Sequence, residues 1–310
     1  MLQNLAKVSI TEQTKFIKSF DHVFCDIDGV IWLACKAIPG APECVDTLKE
    51  IGKKVTFITN YGASSTAELY RLLREIKVSA ELDDIVNPLL AMILHLKKIK
   101  FDKEIFAIGT AEFKDELKRS GFKLAPDPPQ FMEETIPNLL SNMADDEKVG
   151  AVVFDYDINL TILKLQKSLT YLKRKDCLFM IGGAEKSTPF GNEGPLVGNY
   201  YFYMCLKEIS GREPIQMAKP SIHYVDLVTE KFHVKKPGRI LYIGDNIEED
   251  MGFAMTAGYE KLLVLTGTTK NEHLLDWKYP ENLKPQYYVE SLGALNDIIK
   301  LCNISKISKD

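Results

Sequence analysis

His22-Val23-Phe24-Cys25-Asp26-Ile27-Asp28-Gly29-Val30 carries an apolar run straight into two aspartates and a glycine. The β-branched and aromatic run predicts a buried strand, residues 22–28. Two carboxylates cannot be buried cheaply without partners. They belong at the strand's exposed carboxyl end, where open α/β sheets bind ligands. A pair of aspartates there suits a divalent metal, a covalent nucleophile, or both. Asp-x-Asp-Gly is also the composition of a tight turn, and the motif alone leaves both readings open.

The rest of the chain supplies company for the pair. Strand-like and helix-like segments alternate, which predicts a parallel α/β sheet. Strands are expected at Lys54–Thr59, Glu104–Gly109, Val149–Phe154, Cys177–Ile181, Arg239–Ile243 and Lys261–Leu265. Helices are expected at Glu43–Ile51, Ser65–Ile76, Ala111–Ser120, Ile162–Lys173, Tyr200–Ile209, Ser221–Phe232 and Asp250–Ala257. The proline-rich run 125–129 and the Gly-, Pro- and Asn-rich stretch 182–199 read as irregular. The polar tail after Leu301 reads as frayed. Polar residues recur where strands end or helices begin: Thr59-Asn60, Lys219-Pro220, and Gly244-Asp245 with Asp250 after it. In a parallel sheet the strand carboxyl ends share one edge, so these residues can converge. Three carboxylates with water make a hard-oxygen site suited to Mg²⁺. Lys219 and that metal would hold a phosphate's charge, while Thr59 and backbone N–H groups orient its oxygens.

Composition narrows the class. The chain has 310 residues, 45% hydrophobic and 26% charged, with a net charge of −4. This is the profile of one large or two medium globular domains. The acidic balance argues against nucleic acid as a partner. No apolar run reaches the length of a membrane span, and the first residues lack the long apolar core of a secretory signal. Six scattered cysteines without a C-x-x-C pair fit buried apolar positions in a reducing cytoplasm.

The segments Asp26-Ile27-Asp28-Gly29-Val30, Thr59-Asn60, Lys219-Pro220 and Gly244-Asp245-x4-Asp250 resemble, in order, the four motifs of the haloacid dehalogenase superfamily. Ile38-Pro39-Gly40-Ala41-Pro42-Glu43 with Gly52-Lys53-Lys54-Val55 is similar to its branch of p-nitrophenylphosphatases, phosphoglycolate phosphatases and pyridoxal-phosphate phosphatases. The resemblance implies a Rossmann-like parallel-sheet core (1–86 and 213–310) with an inserted α/β cap domain (87–212). It implies a Mg²⁺-dependent phosphatase acting on a small-molecule phosphate ester through an aspartyl-phosphate. Asp26 would be nucleophile and metal ligand, and Asp28 general acid/base and metal ligand through its carbonyl. Thr59 and Asn60 would contact phosphoryl oxygens, and Lys219 would neutralise nucleophile and phosphate. Asp245 would anchor the metal, supported by Asp250 and Asn246. Gly183, Glu185 and Lys186 stand where the cap's substrate loop is expected. A homodimer through the cap is also implied.

Two stretches depart from the branch: 61–65 lacks its usual basic residue, and 182–188 lacks its Thr-Asn-x-Asp-like run. A phosphoprotein phosphatase, or a weakly active phosphometabolite sensor, is the rival reading. Other residues have bland alternatives. His223, Asp226, Glu248 and Glu249 fit helix surfaces or termini as well as the site. Tyr200–Tyr203 fits packing as well as stacking on an aromatic substrate, and Trp32 fits the core as well as a flap.

Overall fold

The computed structural model describes residues 2–189 and 194–304. Two compact units emerge from its contacts: Met1–Thr59, Thr66–Val86 and Lys219–Asp310 in one, Asn60–Ser65 and Asn87–Ala218 in the other.

The first unit is built on seven parallel strands, ordered Gln3–Asn4, Tyr287–Val289, Glu260–Val264, Ile240–Gly244, His22–Cys25, Lys54–Ile58 and Ile85–Val86. The central strands are apolar throughout because both of their faces are covered. On one face Val23, Cys25, Val55, Phe57, Leu241 and Ile243 pack with Leu48, Leu69 and Leu295 from helices Ala41–Glu50, Thr66–Glu75 and Leu292–Leu301. On the other, Phe24, Tyr242, Tyr224, Phe253 and Tyr259 form a chain of edge-on and tilted rings. Fully burying each such side chain contributes roughly 1.5–3 kcal/mol. The register sets Ile243 beside Cys25 and Cys25 beside Phe57, so Gly244, Asp26 and Ile58 follow together on three adjacent strands.

The second unit carries a four-stranded parallel sheet, ordered Ile215–Gln216, Leu178–Ile181, Val149–Phe154 and Glu104–Ile108. Phe106, Val152, Phe154, Phe179, Tyr203 and Leu206 form its core, and Tyr200 and Phe202 pack against that cluster. The aromatic run 200–203 therefore serves this unit's own interior, apart from Tyr201, which is exposed. The unit runs on to Ala218 because Ile215–Gln216 adds a strand beside Leu178–Ile181.

Several expected boundaries shift. The first strand stops at Cys25, since the two acids leave the ladder. The helix expected at Asp250 is preceded by a wide turn, Ile247–Met251, and begins at Gly252. The stretch 182–199 contains an antiparallel pair, Ser187–Pro189 with Pro195–Val197. Residues 190–193 of that stretch, and the tail beyond 304, lie outside the described residues. No described helix is long and apolar enough to cross a membrane.

Candidate active site

Asp26 follows the central strand and Asp245 follows its neighbour Ile240–Gly244, so sheet register alone makes them adjacent. Asp26, Asp245 and Asp250 each place a carboxylate oxygen within 4.8 Å of the others, and all three residues are buried. Lys219, only 2% exposed, reaches between two of them. Its Nζ lies 2.8 Å from Asp26 Oδ1 and 2.6 Å from Asp250 Oδ1.

Asp250 is fully committed to this framework. Its Oδ1 accepts from Lys219 and from the Tyr242 hydroxyl, and its Oδ2 accepts from the backbone N–H groups of Asp245 and Asn246 at 2.9 Å. It therefore fixes the lysine and the Asp245 loop. Asn246 caps the turn that delivers Asp250, its side chain accepting from the N–H groups of Glu248 and Glu249. Asp245 is held by the Thr268 N–H and hemmed by two glycines. A Cβ at Gly29, whose φ is +77°, would come 2.6 Å from Asp245 Cγ, and one at Gly267 would come 2.1 Å from its Oδ2. Both positions must lack a side chain for the backbone to approach the carboxylate this closely.

Asp28 differs from the other acids. It is exposed, and it accepts from Trp32 Nε1 at 2.7 Å and from the Thr59 hydroxyl at 3.5 Å. Thr59 is buried, its backbone carbonyl held by the Tyr224 hydroxyl. Trp32, 2% exposed, thus packs in the core and also orients Asp28.

The charges bear on one another. Burial raises the Asp26 carboxyl well above the usual range; Lys219 opposes the rise, while Asp250 and Asp245 add to it. Burial, then Asp250, push Asp245 up to about 7 against the Thr268 N–H. Burial would lower the Lys219 ammonium, but Asp250 and Asp26 hold it well above its ordinary value. Crowding around Asp28 raises its carboxyl, with the Trp32 bond opposing; because Asp28 is exposed, solvent screens part of that rise.

The donor set fits a divalent cation. Asp26 Oδ1 is buried, and the group it faces is the Lys219 ammonium at 2.8 Å. Two neighbouring carboxyls shifted upward are short of positive charge, and a hard cation on all-oxygen ligands would supply it.

His223 and Asp226 are exposed on helix Ile222–Lys231, and Glu248 is exposed. Asn60 begins the segment grouped with the second unit, where a Cβ on Gly183 would lie 3.1 Å from the Asn60 carbonyl. Glu185 sits against Gly183, and Lys186 Nζ lies 5.1 Å from the Tyr200 ring centroid. The loop Thr266-Gly267-Thr268-Thr269 lies outside the four motifs, yet it holds Asp245 through the Thr268 N–H. It follows the strand Glu260–Val264, so its hydroxyls and glycine at a strand's carboxyl end were the available signal.

Comparison with known proteins accords with this geometry. Residues 23–123 match the model of haloacid dehalogenase-like hydrolases, and residues 216–295 match a related HAD-hydrolase-like model. Phosphoglycolate phosphatase 2 of Arabidopsis thaliana is 32% identical over 91% of this chain and 93% of its own length. The 4-nitrophenylphosphatase of Schizosaccharomyces pombe is 28% identical over 92% of this chain and 96% of its own. The crystal structure of a 4-nitrophenylphosphatase from Thermotoga maritima superposes with a TM-score of 0.75 at 26% identity, covering 91% of this chain and 98% of that one. By motif, fold and likeness, the chain belongs to the haloacid dehalogenase-like hydrolases, with an α/β cap inserted into a parallel-sheet core.

Proposed function

We propose that this protein is a Mg²⁺-dependent phosphatase that hydrolyses a small-molecule phosphate monoester through an aspartyl-phosphate on Asp26. The observation that carries the reading is the division of labour between the first two acids. Asp26 is buried against Lys219 among metal-capable carboxylates, whereas Asp28, two residues on, is exposed and bonded to Trp32 and Thr59. That asymmetry suits one acid to attack and the other to move protons.

Asp26 attacks phosphorus as the ester P–O bond breaks, and Asp28 gives its proton to the leaving oxygen. Asp28 then takes a proton from water, whose oxygen attacks the phosphoryl group, releasing phosphate and restoring Asp26. Lys219 offsets the negative charge of Asp26 and of the transferring group. Thr59 and Asn60 donate to phosphoryl oxygens. Mg²⁺, held by Asp26, Asp245 and the Asp28 carbonyl, would neutralise the phosphoryl charge. Asp250 and Asn246 support Lys219 and Asp245.

The names of the relatives and the size of the inserted cap favour a soluble ester of the p-nitrophenyl phosphate, phosphoglycolate or pyridoxal phosphate type. Gly183, Glu185 and Lys186 are the proposed substrate-reading residues. Cytoplasmic residence, with the cysteines kept as free thiols, and pairing through the cap complete the reading.

Release of p-nitrophenol from p-nitrophenyl phosphate is the test. Activity should require Mg²⁺, stop on chelation, and disappear in Asp26→Asn. Undiminished turnover in that variant would remove Asp26 from the mechanism.

A further inference from the structure

The segment Asn60–Ser65 follows Thr59 directly, yet it groups with the second unit. Three side chains of that unit account for this. Asn87 Nδ2 donates to the Ser64 carbonyl at 2.7 Å and to the Tyr61 carbonyl at 3.3 Å. Thr110 Oγ1 donates to the Ala63 carbonyl at 2.6 Å. The Asp155 carboxyl occupies the space beneath Gly62, where a Cβ would come 2.2 Å from its Oδ2. Gly182 is closer still, a Cβ there coming 1.8 Å from the same oxygen.

Asp155 is the least expected of the three. It is 2% exposed, and its Oδ1 accepts from the Tyr156 N–H at 2.6 Å. Its Oδ2 has no hydrogen-bond partner among the described residues, and burial raises the carboxyl to about 7, against the Tyr156 bond and with Glu185 adding to the rise. A buried, half-satisfied acid costs stability, and sites that break such local rules tend to be functional. Asn87 and Thr110 do double duty. Asn87 Oδ1 caps helix Pro88–Lys98 through the Leu90 N–H, and Thr110 Oγ1 caps helix Ala111–Arg119 through the Phe113 N–H. Two helix starts and one strand end thus meet four consecutive residues, Tyr61 to Ser64.

We propose that Asn87 and Thr110 are positioning residues for catalysis: they hold Asn60–Ser65 in one conformation, with Asp155 as the stop packed beneath Gly62, and so fix the backbone that runs on from Thr59. This rests on the phosphatase reading above. The grip also explains the glycine at position 62, whose missing side chain, like that of Gly182, leaves room for the acid.

Two variants disturb the grip from opposite sides. Asn87→Asp keeps the helix-capping oxygen but removes the amide donor. Gly62→Ala places a methyl group against Asp155. Each should lower kcat/KM for p-nitrophenyl phosphate about tenfold, a displacement of under an ångström being enough. Each should also speed hydrogen exchange at amides 60–65 while the amides of Val149–Phe154 stay protected. Asp155→Ala should restore activity and protection when combined with Gly62→Ala, and Thr110→Ser, which keeps the hydroxyl, should behave as wild type. Faster exchange at 60–65 with unchanged kcat/KM would overturn the proposal, as would failure of Asp155→Ala to rescue Gly62→Ala. If wild type hydrolyses no phosphate ester, the phosphatase reading fails, while the exchange measurements still judge the grip.

Discussion

The Lys219 ammonium is the residue on which the site's electrostatics turn. It is buried between Asp26 and Asp250, and both acids are buried with it. Removing one partner of a buried ion pair costs far more than the pair contributes, because the other charge is stranded. Lys219→Met should therefore lower unfolding free energy by roughly 3–5 kcal/mol, read from the urea midpoint; a loss below 1 kcal/mol would mean the acids relax freely. Asp28 calls for a different experiment. Removing a general acid typically costs about 10²–10⁴ in rate, but only where the leaving oxygen needs the proton. p-Nitrophenolate leaves readily without it. Asp28→Asn should slow an alkyl phosphate ester markedly more than p-nitrophenyl phosphate under single-turnover conditions, and equal losses would deny Asp28 the acid role. Asp28 was legible in the sequence because a charge at the end of an apolar strand has few structural uses, and Lys219 because it stands beside Pro220 at the start of a helix. Trp32 and the loop 266–269 were less so: their bonds to Asp28 and Asp245 depend on side-chain direction and on sheet neighbours far away in the chain.

At the scale of elements, strands and helices were read best where one period persisted. Val149–Phe154 has the expected bounds, and helices such as Ile162–Leu172 differ by a residue. Ser187–Pro189 and Pro195–Val197 were read as irregular because Gly, Pro and Asn dominate there; their pairing with each other overrides weak propensity. The start of the central strand carries its own test. His22 accepts or donates at Thr56 Oγ1 and meets Phe24 edge-on, with Phe232 beyond. Burial, aided by Lys54, lowers its pKa to about 4. The unfolded chain would bind a proton near pH 6.5 that the folded one refuses, so this residue's contribution is present above that pH and fades as pH falls towards 4. It amounts to up to about 3 kcal/mol. In His22→Gln the loss of stability between pH 6.5 and 4 should be smaller than in wild type by up to that amount, as followed by chemical denaturation; parallel curves would show that His22 titrates normally.

Over the whole molecule, the parallel sheet follows from the chemistry as much as from the pattern. Acids 219 residues apart, Asp26 and Asp245, meet here because their strands run side by side in the same direction. The division into units was harder to read, because the affiliation of 60–65 rests on bonds from Asn87 and Thr110 rather than on composition. Metal binding should couple the site to global stability: a cation held at one hundred times its Kd stabilises by about 2.7 kcal/mol. Mg²⁺ should thus raise the thermal midpoint of wild type, and Asp245→Asn should abolish most of that rise; an equal rise in both would place the cation elsewhere. The central claim is a covalent one. Acid-quenching the enzyme during turnover of a ³²P-labelled phosphate ester, then mapping the label by proteolysis, should find one phosphoryl group on the peptide containing Asp26 and none in Asp26→Asn. Turnover with no label on that peptide, or label on another residue, would contradict the account.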